Sequence, residues 1–237
     1  MHKHPFKGDH SIFVVIPAFN EAKSIAKVIQ AIPGEYVDEI LVVSNNSTDN
    51  TEEEAEKAGA TVLTESRKGY GWACLQGIKH ALEKDATIIV FLDGDFSDYP
   101  EQLPEVVRPI LDEDMDMVIG SRALGKRIKG SMTFPQIFGN WLATNLLKIF
   151  YRADFTDLGP FRAIKTDALQ KLRMSDKTYG WTIEMQIKAA KNRLKFCEVA
   201  VDYKPRIGTS KVSGTVKGAV LAGIKIIFAV FKYKFVR

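Results

Sequence analysis

The sequence predicts an α/β protein built on a mostly parallel, nucleotide-binding style of sheet with helices on its faces. Two observations carry this. Short β-branched runs that are almost wholly apolar recur through the first half of the chain, as parallel strands buried on both faces do. Longer stretches with helical spacing lie between them, and strand–helix units of that length imply right-handed crossovers.

The predicted strands are Ile12–Ile16, Glu39–Val43, Ala60–Leu63 and Thr87–Leu92. The predicted helices between them cover Glu21–Ile32, Thr48–Ala58 and Tyr70–Leu82. Ile25, Val28, Ile29 and Ile32 share one face of the first, and Asn46 and Ser47 are good cap types ahead of the second. Beyond Asp95 the pattern predicts a helix over Glu101–Leu111, a strand at Met117–Ile119 and a loop, Gly125–Gly130, suited to a mobile lid. Phe134–Tyr151 reads as a helix with Ile137, Phe138, Trp141, Leu142, Leu146 and Ile149 at near-helical spacing, and a strand–helix–helix–strand passage then leads to Tyr203. From Thr215 to Arg237 the chain is apolar, with Lys217, Lys225 and Lys232 along one helical face. Lys225 in the middle argues against a membrane span, which leaves a helix lying on a membrane or packed on the domain.

A chain of 237 residues, 46% hydrophobic and 26% charged, is neither disordered nor fibrous and fits one large domain with a C-terminal appendage. The organisation expected is an arm over residues 1–10, a domain over 11–213 divided near 120/121, and an amphipathic helix over 214–237. The net charge is +4, and Arg122, Lys126, Arg127 and Lys129 cluster, which points to an anionic partner. No helix-turn-helix, zinc-finger spacing or aromatic–basic signature supports nucleic acid as that partner. Cys74 and Cys197 sit apart in apolar patterns, so they argue neither a disulfide framework nor a cysteine metal site and fit a reducing compartment. Met1–His10 is polar and lacks the apolar core of a secretory signal.

Asp93-Gly94-Asp95 follows the buried run Ile88–Leu92, at the carboxyl end of a strand, where open α/β sheets bind ligands. Two carboxylates so spaced suit a hard cation, Mg²⁺ or Mn²⁺, that also takes diphosphate oxygens and neutralises charge on a leaving nucleoside diphosphate. An acidic turn after a strand is the plainer alternative. The first strand ends in Pro17-Ala18-Phe19-Asn20-Glu21 rather than a glycine-rich turn, so a dinucleotide site is absent there.

These motifs, taken in order, resemble glycosyltransferase family 2, and within it the polyprenyl-phosphate sugar transferases, from Val14 to about Lys211. The resemblance implies a GT-A-type fold and a nucleotide-sugar donor site over Pro17, Ala18, Phe19, Asn20, Glu21, Ser44, Asn46, Lys68, Asp93, Gly94 and Asp95. It also implies a metal at Asp93 and Asp95, with the position of a third ligand falling on Ser97, beside Asp98, and a phosphate-side arginine at Arg122. Asp157-Leu158-Gly159-Pro160-Phe161-Arg162 matches the family's acceptor-side motif, and Arg206-Ile207-Gly208-Thr209-Ser210-Lys211 its basic phosphate element. Arg122, Arg162, Arg206, Ser210 and Lys211 are thus the expected phosphate and acceptor contacts, and arginine suits two phosphates in one site. Two departures stand out: Ser44-Asn45-Asn46 replaces the acid many members carry after the second strand, and Ser97 stands where a glutamine is frequent.

A phosphate acceptor, with a second pKa of about 6, is largely a dianion near neutrality and hardly needs a base. Should one act, Asp157 is the first candidate and Glu184 the second, against an ion pair with an arginine such as Arg162 and a helix-surface carboxylate respectively. Trp181 and Trp141 could stack on a sugar or line an apolar lipid groove, and core packing is the expected place for Trp141, on its apolar stripe. The leading expectation is an inverting, metal-dependent transfer from a UDP- or GDP-sugar to a polyprenyl phosphate at the cytoplasmic face of a membrane. The alternatives are a soluble acceptor (a sugar or phosphorylated small acid) or a non-catalytic nucleotide-sugar-binding subunit with a membrane-protein partner, and a homo-oligomer is compatible with either.

Overall fold

A computed structural model describes residues 10–208 and 226–234. The terminal arm over 1–9, Thr209, Ser210, Lys211, the 213/214 boundary, Lys217 and Lys225 lie outside the described residues.

Seven strands form one sheet: β1 (Ile12–Ala18), β2 (Glu39–Ser44), β3 (Thr61–Thr64), β4 (Ile88–Phe91), β5 (Met117–Ser121), β6 (Arg162–Lys165) and β7 (Phe196–Ala200), in the order β3-β2-β1-β4-β6-β5-β7. Only β6 runs against its neighbours, β4 and β5. The helices are α1 (Ile25–Ala31), α2 (Thr51–Lys57), α3 (Tyr70–Glu83), α4 (Leu103–Asp112), α5 (Phe134–Tyr151), α6 (Thr166–Leu172) and α7 (Trp181–Lys191). Residues 226–234 are also helical.

Alternate residues of a strand face opposite sides, so β1 feeds two cores. Phe13 and Val15 pack with α3, α6 and α7 on one side; Ile12, Val14 and Ile16 pack with α1 and α4 on the other. That double burial is why β1 and β4 read as unbroken apolar runs. β3 departs from the expected buried strand: it pairs only with β2, so as an edge strand its residues stay half-buried or exposed.

α1 begins four residues later than expected because Glu21–Ser24 form a turn instead, with Glu21 N bonded to Thr51 Oγ1 at 2.8 Å. α2 opens at Thr51, not Thr48, since Ser47 and Asn46 are used elsewhere, on Asn20 N and Glu65 O. The Gly125–Gly130 segment is not a free lid. Tyr203 O accepts from Ile128 N, Tyr203 N donates to Lys126 O, and Lys126 N donates to Asp202 Oδ1 at 2.8 Å, which ties it to the chain after β7.

α5 spans the predicted residues and is opened by a capping box between Thr133 and Gln136. It buries only Ala143, Thr144 and Leu147. Trp141 is therefore not a core residue: it is 57% exposed, with Phe134 at 78% and Ile149 at 70% on the same outer stripe. Helix 226–234 packs beside the end of α5, with Tyr151 Oη donating to Val230 O at 2.5 Å and Phe150 edge-on to Phe231 at 5.2 Å.

Candidate active site

At the carboxyl end of β4 the two acids are held by different means. Asp93 Oδ1 accepts from Tyr70 Oη at 3.1 Å. Burial first, and the charge of Asp95 second, push the Asp93 carboxyl up to about 7. Asp95 Oδ1 accepts from Ser97 N at 3.0 Å and Ser97 Oγ at 2.5 Å, while Asp95 Oδ2 pairs with Arg206 Nη1 at 3.1 Å. The other arm of Arg206, Nη2, reaches Glu21 Oε1 at 3.1 Å. One guanidinium so joins the motif after β1 to the acid pair, and Ile207 N donating to Asp95 O at 2.9 Å fixes the backbone beside it.

These groups border a pocket of about 260 Å³. Of the donor residues expected from sequence, Pro17, Ala18, Phe19, Glu21, Asn46, Lys68, Asp93, Gly94 and Asp95 line it, and so does Arg206. Two do not. Asn20 turns to Thr48, whose N it accepts at 2.7 Å, and Ser44 is buried at the end of β2 with its hydroxyl unpartnered. Sequence reasoning missed Asn45, Tyr70 and Tyr179 in this lining. Asn45 was signalled only by its place at a strand end; its side chain accepts from Gly69 N at 2.8 Å and donates to Arg67 O at 2.8 Å, shaping the wall.

Arg122 and Asp157 form a buried bidentate pair: Nε to Oδ2 and Nη2 to Oδ1, both 2.7 Å, with Arg122 N also on Oδ2 at 2.8 Å. Burial pulls the Arg122 guanidinium down, but Asp157 outweighs it and holds it above its ordinary value. Asp157 is the ion pair foreseen as the alternative to a base, with Arg122 rather than Arg162 as partner. Glu198 on β7, unmarked in the sequence, positions this loop by accepting from Thr156 N at 2.8 Å and Asp157 N at 3.2 Å. Asn140 of α5 holds the same loop, accepting from Leu158 N at 2.8 Å and donating to Thr156 O at 3.0 Å.

Arg162 is fully buried, and its nitrogens donate to the carbonyls of Leu158, Gly159 and Thr182. It is committed to backbone rather than offered to an acceptor, because its side chain is enclosed between the Leu158-Gly159 turn and the first turn of α7. Glu184 is likewise buried, not a helix-surface carboxylate: Ser175, Asp176, Lys188 and Tyr233 all bond to it. Asp98 is buried beside the acids with neither oxygen bonded, and burial drives its carboxyl well above the usual range.

Among the described residues no group of three or more His, Cys, Asp or Glu is arranged to hold a metal alone. Asp93 and Asp95 are a two-carboxylate site open to the pocket, and such a site suits an ion that takes its other ligands from phosphate oxygens and water. The Ser97 hydroxyl already donates to Asp95, so it props that acid.

A sheet of this order, with one antiparallel strand and an acid pair at a strand end bordering the pocket, is the GT-A fold of glycosyltransferases. The chain belongs to glycosyl transferase family 2, whose model matches residues 13–173. It is 34% identical over 215 residues to an uncharacterised glycosyltransferase of Mycobacterium tuberculosis, covering 90% of this chain and 94% of that one. It is 28% identical over 230 residues to the undecaprenyl-phosphate mannosyltransferase of Micrococcus luteus, covering 90% and 92%. Among solved structures it is similar to glucosyl-3-phosphoglycerate synthase of Mycobacterium tuberculosis in complex with Mn²⁺, UDP and glucosyl-3-phosphoglycerate. That match has a TM-score of 0.78 and 23% identity over 97% of this chain and 81% of that one.

Proposed function

We propose that this glycosyltransferase moves a sugar, with inversion, from a UDP- or GDP-sugar to a polyprenyl phosphate at a membrane surface, using Mg²⁺ or Mn²⁺. The observation that carries the lipid acceptor is α5: the helix whose Asn140 fastens the Asp157 loop also presents Phe134, Phe138, Trp141 and Ile149 outward. An aromatic stripe of that kind seats in the headgroup boundary, and Lys126, Arg127 and Lys129 on the neighbouring loop suit anionic lipid. No helix among the described residues is long and apolar enough to cross a membrane, so this contact would be peripheral.

In this reading Asp93 and Asp95 hold the cation, and Pro17–Glu21, Asn46 and Lys68 border the nucleoside. The cation, when bound, supplies charge neutralisation for the departing diphosphate. Arg206 releases Asp95 and turns to phosphate oxygens. Arg122, oriented by Asp157, faces the acceptor phosphate, which as a dianion attacks without a base. Asp157, Arg162 and Glu184 then act as scaffold, and the reaction rests on positioning and electrostatics. Ser210 and Lys211 are proposed as further phosphate contacts on sequence resemblance.

A soluble phosphorylated acceptor is the second reading, favoured by the fold likeness to a synthase crystallised with glucosyl-3-phosphoglycerate. Incubating the full chain with UDP- and GDP-sugars, Mn²⁺ and either polyprenyl phosphate in vesicles or 3-phosphoglycerate separates the two. Label in the organic phase supports the first; label confined to the aqueous acceptor overturns it.

A further inference from the structure

Glu184 on α7 receives donors from three parts of the chain. Ser175 Oγ at 2.6 Å, Ser175 N at 3.0 Å and Asp176 N at 2.7 Å come from the segment before α7. Lys188 Nζ comes from the next turn at 2.8 Å, and Tyr233 Oη from helix 226–234 at 2.6 Å. A buried carboxylate with that many donors is a rigid joint, because each lost bond leaves charge uncompensated in a low dielectric.

The segment it holds leans on the donor pocket. Lys177 O accepts from Trp72 N at 3.2 Å, in the first turn of α3. Lys177 O and Asp176 O stand 2.1 Å from where a Cβ would lie on Gly69 and Gly71 respectively, so only glycine lets the two pieces of backbone meet. Gly69 also has φ of 144°. Between those glycines sits Tyr70, which donates to Asp93, and Tyr179 from the same segment lines the pocket. Contacts therefore run unbroken from Tyr233 through Glu184, Ser175–Lys177 and Gly69–Trp72 to Asp93.

We propose that Glu184 is a positioning residue that makes the shape of the donor pocket depend on how helix 226–234 is seated. The proposal rests on the pocket being the donor site. It gives the outward Phe228 and Phe231 of that helix a route to the chemistry, since whatever engages them bears on Tyr233.

The test uses the full chain as Tyr233→Phe, which keeps the ring, with Glu184→Gln as the stronger variant. Amide exchange is followed without nucleotide, and binding of UDP, or of GDP where that is what the wild type takes, is titrated with Mn²⁺ present. The expected result is faster exchange at Ser175, Asp176 and also Trp72 in Tyr233→Phe, with UDP binding weakened roughly fivefold, the scale of one lost hydrogen bond. Donor KM should rise more than kcat falls. Faster exchange confined to Ser175 and Asp176, with Trp72 and UDP binding as in the wild type, would overturn the coupling. Wild-type protein that binds neither UDP nor GDP with Mn²⁺ sinks the donor-site reading instead, and exchange at Trp72 then still decides the coupling. Should Glu184→Gln fail to fold, exchange and UDP binding in Tyr233→Phe alone decide between these outcomes.

Discussion

Arg206 stands 3.1 Å from Asp95, closing with a side chain the carboxylate that the donor-site reading assigns to a cation. The same guanidinium holds Glu21, so it has two carboxylates to leave when a diphosphate arrives. Arg206→Ala should therefore act with opposite signs on two ligands. Mn²⁺ alone should bind more tightly, because a competing cation is gone from Asp95. UDP in the presence of Mn²⁺ should bind about tenfold more weakly or worse, the loss expected for a charge-assisted contact. Calorimetric titration of each ligand reads both, and the same direction for both would count against a partner exchange by Arg206.

The buried pair of Asp157 and Arg122 leads to a second expectation. Removing one member leaves the other charged and poorly solvated, a loss of about 3–5 kcal/mol. Asp157→Ala should lower the urea midpoint accordingly, whereas Asp157→Ala with Arg122→Met should recover much of it. If Asp157 were instead a general base, Asp157→Asn would abolish the acid limb of the pH–rate profile. A profile of unchanged shape with reduced kcat fits the positioning role.

How far the sequence carried these conclusions depends on what each residue's neighbours are. β1, β2 and β4 were legible because burial on both faces writes an apolar run into the sequence, and α5 because its spacing and its Thr133–Gln136 cap agree. The same apolar spacing could not say which way α5 faces: Trp141 looks alike on a core stripe and on an exposed one. Asp93, Asp95 and the segment after β1 were legible as motifs at strand ends. Glu198, Asn45 and Tyr179 were not, since each acts through a contact with chain far away in sequence, which periodicity does not record. Arg162 and Glu184 looked available to substrate for the converse reason: their charge is visible in sequence, and the carbonyls and hydroxyls that absorb it are not.

Glu184 also carries a pH dependence. Burial pushes its carboxyl up, but bonds from Lys188, Ser175 and Tyr233 outweigh this and leave it below the ordinary value of a glutamate. A carboxyl lowered on folding stabilises fully above its unfolded value and loses that contribution as pH falls through its folded one. The stability difference between wild type and Glu184→Gln should hold steady from neutral pH down to about 5 and shrink as the pH falls on into acid. Urea midpoints of both proteins across that range test it, and a difference that persists undiminished in acid would mean that the charge on Glu184 contributes nothing.

The outer face of α5 separates the two acceptor readings. Phe134 and Trp141 are largely exposed, so replacing both with Ser should leave the unfolding free energy within about 0.5 kcal/mol of wild type. Each aromatic that enters the headgroup boundary contributes about 1.5–3 kcal/mol if fully buried there. The double variant should therefore lose at least tenfold in affinity for anionic vesicles, measured by flotation, while binding UDP with Mn²⁺ as the wild type does. Activity toward a polyprenyl phosphate presented in those vesicles should fall in step, and activity toward a short, water-soluble isoprenoid phosphate should not. Wild-type protein that stays unbound in flotation would remove the lipid acceptor and leave the aromatic stripe to a protein surface, where the same pair of substitutions should dissociate an oligomer in sedimentation.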